Sequence, residues 1–326
     1  MREAKNEGGP EIQKITDAAK RFTENVGRVI VGKEESIHWV FIGLLCGGHL
    51  LIEDVPGVGK TLLAKAAARS MGCTFRRIQG TPDLLPADVT GLHYFNQKTC
   101  EFEFRPGPIL ANLVLVDEIN RAMPRTQSCL LECMQEQQVT VDWHTFVLPR
   151  PFLILATQNP IELEGTFPLP EAQLDRFLLR IRLGYPSPME EDAILSRFQE
   201  TNPLDSLPPI LEAKEILALQ GLSRQVYIES SVRGYLTALT RATRTHPDIR
   251  LGASPRSSLA LHAAAQAWAA IQGRDFVIPD DIKSLFVPVV AHRLLIKSEA
   301  RMRGKTEEDV LKEILEQTPI PLNEYT

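Results

Sequence analysis

The stretch His49-Leu50-Leu51-Ile52-Glu53-Asp54-Val55-Pro56-Gly57-Val58-Gly59-Lys60-Thr61 decides the fold of this 326-residue chain. A short apolar strand, Leu50 to Ile52, runs into a glycine-containing turn. The turn ends in Gly-Lys-Thr and opens a helical segment that reaches Met71. Strand, loop, Gly-Lys-Thr and helix in that order make a phosphate-binding loop, in which N–H groups at a helix N-terminus close around phosphate oxygens. Gly57 and Gly59 have no Cβ to keep those oxygens away, and Pro56, Val58 and Leu62 complete the cradle. Lys60 is placed to reach the β- and γ-phosphates, and Thr61 to offer its hydroxyl to Mg²⁺. The general motif begins with glycine. Asp54 stands at that position and reads as a tolerated variant, because the later N–H groups and Lys60 do most of the binding.

A second stretch, Gly27-Arg28-Val29-Ile30-Val31-Gly32-Lys33-Glu34, carries both glycines and the lysine. It ends in Glu34, which offers no hydroxyl and puts negative charge where phosphate should sit, and no apolar strand precedes it. The later loop is therefore the phosphate site.

Outward from the loop, the chain alternates strand and helix patterns. Ile12, Ile15, Ala19, Phe22 and Val26 fall on one helix face, and Ser36 to Cys46 is a second apolar helix that Gly47-Gly48 ends. Thr74 to Gln79 reads as a strand. Leu92–Phe95 and Cys100–Phe104 flank Asn96-Gln97-Lys98-Thr99 as a hairpin, followed by a short helix through Ile109 and Leu110. Leu113 to Val116 and Phe152 to Ala156 are continuous apolar runs, as expected of strands covered on both faces of a parallel sheet. Val139–Val141 and Thr145–Leu148 form a second hairpin with Trp143 and His144 at its tip, and Phe177 to Leu183 is the last strand. After Tyr185-Pro186-Ser187-Pro188 the pattern turns helical, over 189–201, 211–220, 231–245, 255–272, 279–297 and 307–317. The expected architecture is an α/β domain at 11–186, a doubly wound parallel sheet with two β-hairpin insertions. An all-helical domain at 187–326 follows it, and residues 1–10 form a disordered tail.

Composition narrows the partners. A formal charge of −5 argues against a general nucleic-acid binder, whose surface is basic. Cys46, Cys73, Cys100, Cys129 and Cys133 form no CxxC pair and read as reduced thiols of a cytoplasmic protein. Residues 1–10 lack the apolar core of a signal peptide, and the longest apolar stretch, Val40 to Ile52, is too short and too interrupted to span a bilayer.

Two strand ends carry further chemistry, since ligands of open parallel sheets bind outside the carboxyl ends of the strands. Asp117 and Glu118 follow Leu113–Val116. Asp117 can hold the water shell of Mg²⁺, and Glu118 can orient and polarise an attacking water. Asn159 follows the Phe152–Ala156 run, and its neutral amide can hold the same water or touch the γ-phosphate. The plain alternative for Asn159 is that Asn-Pro starts a turn.

This layout resembles that of AAA+ ATPases, and more closely the MoxR family. The resemblance rests on Val29-Ile30-Val31-Gly32, DVPGVGKT (54–61), PGPILAN (106–112), LVDEINRA (115–122), ATQNP (156–160), LPEAQLDRF (169–177) and GASPR (252–256), in the family's order. It implies an AAA+ P-loop NTPase core with a helical lid, ATP and Mg²⁺ as ligands, and hydrolysis of ATP by water. It implies that Ile30 and Val31 pack on adenine. Arg176 would be an arginine finger reaching the γ-phosphate of a neighbouring subunit, and its plain alternative is a salt bridge with Asp175 or Glu171. Arg256 would be a second sensor, and its plain alternative is a surface arginine at a helix start. Arg121 and Arg125 are the other interface arginines to consider. The resemblance further implies a homo-oligomeric, hexameric ring and a chaperone-like role on a protein client, including metal cofactor insertion. It also implies a partner carrying a von Willebrand A domain. Trp143 and His144 are candidates for partner contact, although an ordinary surface tip is the simpler reading.

Three rivals share the loop. A small-molecule kinase needs neither a lid carrying a second arginine nor a glutamate beside Asp117. A nucleic-acid motor of the MCM type shares both hairpins, but no Lys or Arg lies between Val139 and Leu148. A magnesium-chelatase-type ATPase subunit shares the layout but fits the motif set less well.

Overall fold

The computed structural model describes residues 9–159, 165–199 and 202–320. Its first helices, α1 (Pro10–Gly27) and α2 (Glu34–Cys46), precede strand β1 (His49–Glu53), helix α3 (Lys60–Ser70) and strand β2 (Phe75–Gln79). Helix α4 (Pro86–Thr90) leads into the hairpin β3 (Gly91–Asn96) and β4 (Glu101–Pro106). Strand β5 (Leu113–Asp117), helix α5 (Pro124–Glu136), the hairpin β6 (Gln138–Val141) and β7 (His144–Val147), and strand β8 (Leu153–Gln158) follow. The short helix α6 (Glu171–Leu174) and strand β9 (Phe177–Ile181) close the first domain.

Five strands pair in parallel in the order β2-β5-β8-β1-β9. Side chains alternate across a strand, so the apolar runs serve two cores. Leu50 and Ile52 of β1, Leu115 of β5 and Leu155 of β8 face α1, α2 and α3. Leu51, Val114, Val116, Ile154 and Ala156 face α5 and the hairpins. Edge strand β2 is anchored by buried Ile78 on one face and half-buried Phe75 on the other, and leaves Arg76 and Arg77 exposed. The two hairpins meet through Phe104 and Phe146, whose rings stack with centroids 4.2 Å apart. Trp143 at the second tip is 93% exposed.

The expected short helix through Ile109 and Leu110 is a turn instead. Gly107 lies so close to Val89 and Gly91 that an added Cβ would stand 2.2 Å from the Val89 carbonyl oxygen. That backbone approach ties the hairpin base to α4 and leaves no room for a helical turn.

The second domain comprises α7 (Pro188–Arg197), α8 (Ala213–Ser223), α9 (Ser230–Thr245), α10 (Pro255–Ile271), α11 (Pro279–Val290), α12 (Ser298–Met302) and α13 (Glu307–Gln317). It is not wholly helical. β10 (Ile249–Leu251) and β11 (Leu295–Ile296) make a two-stranded antiparallel ribbon, where the sequence pattern predicts helix as far as residue 297. Alanine-rich α10 packs closely on α1 and α2, and Trp268 meets Trp39 with ring centroids 5.4 Å apart. Helix α11 covers the β9 edge. Among the described residues, no helix is long and apolar enough to cross a membrane.

His49 shows how the β1 strand is locked. Its Nδ1 accepts the Ile154 N–H at 2.9 Å, so Nε2 carries the proton and donates to the Met134 carbonyl at 3.1 Å. Burial pushes its pKa down to about 4. The unfolded chain takes up that proton near pH 6.5, so between the two values the unfolded state binds more protons and stability falls as pH falls. Over that window the loss amounts to roughly 3 kcal/mol. Urea unfolding at pH 7 and pH 4.5 should show a pH penalty smaller by roughly 2 kcal/mol in His49→Gln than in wild type.

Candidate active site

The phosphate loop leaves β1 at Glu53 and enters α3 at Lys60. Gly57 and Gly59 have φ angles of 87° and 91°, in the left-handed region that side chains disfavour. Nothing lies within 4 Å of where a Cβ would sit at either glycine. The concave face is therefore bare backbone at the N-terminal, partly positive end of an 11-residue helix, a fitting cradle for a polyphosphate. Lys60 Nζ donates to the Asp54 carbonyl at 2.9 Å and so lies across the loop. Thr61 and Leu62 are half-buried in the first turn of α3, and Pro56 is exposed.

Asp117 and Glu118 end the neighbouring strand but one. Asp117 is buried, and its Oδ1 accepts the Thr157 hydroxyl at 2.6 Å while Oδ2 meets an Arg77 guanidinium nitrogen at 2.7 Å. Thr157 Oγ1 in turn accepts the Glu118 N–H at 2.9 Å. One hydroxyl on β8 thus fixes both acidic residues at the end of β5. Glu118 adopts φ 55°, a left-handed conformation that costs a glutamate energy and that the packing around it sustains. This turn separates its side chain from that of Asp117. Gln79 Nε2 donates to its Oε2 at 3.0 Å, and Arg121 Nε lies 3.3 Å from the same oxygen. Glu118 is held yet remains partly solvent-accessible, as a residue that orients a water must be. Asn159 is buried just beyond β8, between the two other strand ends. Thr61, at the start of α3, and Asp117, at the end of β5, are the two oxygen donors that the sequence offers for Mg²⁺.

An apolar cavity of about 270 Å³ adjoins the loop. Ile30, Val31, Gly57, Val58, Gly59 and Leu62 line it, together with Val29 and Lys33. Pro186, from the connection between the domains, and Ile194 and Phe198, from the start of the second domain, complete the opposite wall. The stretch at 27–34 therefore borders the site without forming the phosphate loop.

Arg176 and Arg256 stand elsewhere. Phe177 pairs with His49, so Arg176 lies beside the start of β1, while the phosphate loop lies beyond its end. The strand alone separates them by roughly 13 Å at about 3.3 Å per residue. One arginine side chain cannot bridge that distance and the loop beyond it. Asp175 does not pair with Arg176. Its carboxylate accepts the Ser254 hydroxyl at 3.0 and 3.2 Å and lies 3.7 Å from Arg293 Nε. Arg256 is exposed in the first turn of α10, two residues after Ser254, and so shares the end of the molecule that carries Arg176. Arg121 is engaged with Glu118 of its own chain, and Arg125 is exposed.

Comparison with known proteins fits this geometry. A family model for ATPases associated with various cellular activities (AAA) matches residues 49–179, and a model of the AAA lid domain matches residues 241–314. The chain belongs to the AAA ATPases. It is 42% identical to the chaperone MoxR1 of Mycobacterium tuberculosis, over 93% of this chain and 82% of that one. It is 32% identical to the protein MoxR of Methylorubrum extorquens, over 94% and 96%. A crystal structure of a Cytophaga hutchinsonii protein, provisionally assigned as an ATPase, matches with a TM-score of 0.90 and 38% identity, over 96% of this chain and 97% of that one. Within its class the chain is therefore a MoxR-family AAA+ ATPase.

Several site residues carry no sequence signal. Thr157 falls within the ATQNP stretch, but nothing in the sequence gives its hydroxyl a role, while Arg77 and Gln79 read as part of an ordinary strand and the lid wall as generic helix. Gly80 is another. A Cβ there would stand 2.1 Å from the Glu118 carbonyl oxygen. Gly80→Ala is expected to displace Glu118 and lower ATP turnover by roughly 100-fold, the cost of a misplacement near 1 Å. ATP binding, measured by calorimetry, should stay close to wild type.

Proposed function

We propose that this chain hydrolyses ATP within a ring of identical subunits and uses the cycle to remodel a protein client. The observation that carries this reading is the shared hydrogen bonding of Asp117 and Glu118 through Thr157, beside a bare-backbone phosphate loop. Backbone N–H groups of residues 57–62 and Lys60 bind the polyphosphate. The adenine ring enters the cavity between Ile30, Val31 and Leu62 on one side and the lid on the other. Thr61, and Asp117 through water, would hold Mg²⁺, which when bound supplies positive charge beside the β- and γ-phosphate oxygens.

Glu118 orients a water for in-line attack and accepts its proton, and Asn159 positions the same water. Arg176 and Arg256 are too far from their own loop, so a neighbouring subunit presents them to the γ-phosphate. Hydrolysis then depends on assembly, and a hexameric ring supplies a neighbour to every site. The likeness to a chaperone supports a client-remodelling role, metal cofactor insertion being one form of it. A von Willebrand A domain protein is the partner we propose, in the cytoplasm.

The test is turnover with sizing. Glu118→Gln is expected to bind ATP and assemble while losing turnover roughly 100-fold or more. Arg176→Ala should keep nucleotide affinity and lose about 1,000-fold in rate. Full activity in both variants would overturn the mechanism.

A further inference from the structure

Asp54 occupies the one position at which the phosphate loop departs from the general motif, and glycine there could make none of its side-chain contacts. The residue is buried, and its Oδ1 accepts the Val55 N–H at 2.9 Å. Its Oδ2 accepts two N–H groups from outside the loop, Leu183 at 2.6 Å and Gly184 at 2.7 Å. These are charge-assisted hydrogen bonds, the stronger kind. Leu183-Gly184 is where the chain leaves β9, turns through a left-handed Gly184 (φ 64°) and passes into α7. Just beyond lie Pro186, Ile194 and Phe198, the far wall of the cavity whose near wall is the loop itself. Lys33 donates to the Tyr185 carbonyl at 3.1 Å and so ties the same connection to the α1–α2 turn.

We propose that Asp54 is a positioning residue that pins the Leu183–Gly184 connection to the phosphate loop and so sets the width of the base-binding cleft. On the reading of the site as an ATP site, it governs affinity for the nucleoside half of the substrate and leaves the polyphosphate half to the loop. The neighbouring acid acts in the same direction. Glu53 accepts from Gln158 of β8 and from Arg180 of β9 at 2.9 Å, and Arg180 also pairs with Glu308 of α13. Residues 53 and 54 thus join the end of β1 both to the connection and to the last described helix of the lid.

Calorimetric titration of wild type, Asp54→Gly and Asp54→Asn with ATP, ADP and inorganic tripolyphosphate, each with Mg²⁺, tests this. Asp54→Gly is expected to bind tripolyphosphate within about twofold of wild type but ATP and ADP about tenfold more weakly. Its KM for ATP should rise by a similar factor with little change in kcat. Asp54→Asn keeps one acceptor oxygen for the connection but sets an amide N–H₂ against Val55 N–H, so its ATP affinity should fall between the two. That variant also decides the matter should the glycine form fail to fold. Equal loss of tripolyphosphate and ATP would show damage to the loop itself and overturn the proposal, as would wild-type affinity for ATP in both variants. A wild-type chain that binds neither ATP nor tripolyphosphate would instead overturn the ATPase reading on which this rests.

Discussion

The parallel pairing of β1 with β8, and of β8 with β5, is the constraint on which the site depends. Because all three strands run the same way, the phosphate loop, Asn159 and the Asp117–Glu118 pair emerge on one edge of the sheet. The middle strand also supplies the Thr157 hydroxyl that holds both acids. Antiparallel pairing would send one of these elements to the far end. Two apolar cores, one on each face, hold the register, since a one-residue slip would turn Leu50, Leu51 and Ile52 towards the wrong layers.

The same constraint places Arg176 and Arg256 at the opposite end. Strand β9 begins where β1 begins, so the arginine that precedes it cannot serve its own loop. Asp175 gathers Ser254 and Arg293 at that end, which joins the turn bearing Arg176 to the helix bearing Arg256. A single chain therefore displays the phosphate loop and the acidic pair at one end and the two arginines at the other, which is the separation that supports the proposal of a site completed by a neighbouring subunit.

Much of this is legible in the sequence because buried parallel strands are unbroken apolar runs and their carboxyl ends are marked by abrupt polarity. Leu113–Val116 followed by Asp117-Glu118 could be read that way, as could Phe152–Ala156 followed by Asn159. Phe22, Val26 and their partners on α1 were legible from their spacing alone. The role of Thr157 was not, because a threonine at a strand end is ordinary until its hydroxyl is seen between the Asp117 carboxylate and the Glu118 N–H. The β10–β11 ribbon was hidden because its strands are short and far apart in sequence. Asp54 reads in the sequence as a tolerated variant, since its partners Leu183 and Gly184 lie 129 and 130 residues away and are backbone groups. No pattern of side chains announces a contact of that kind. The turn at Ile109 was hidden for a similar reason, a close approach between distant backbones.

The claim that the site is completed by a neighbour is tested most directly by mixing two inactive variants. Glu118→Gln lacks the group that activates water but keeps its arginines, and Arg176→Ala lacks the arginine but keeps its own Glu118. Mixed in equal amounts and allowed to exchange subunits, they should regain a substantial part of wild-type ATP turnover, because some interfaces then pair an intact loop edge with an intact arginine edge. A mixture no more active than its components, with subunit exchange confirmed by sizing of labelled chains, would contradict the account.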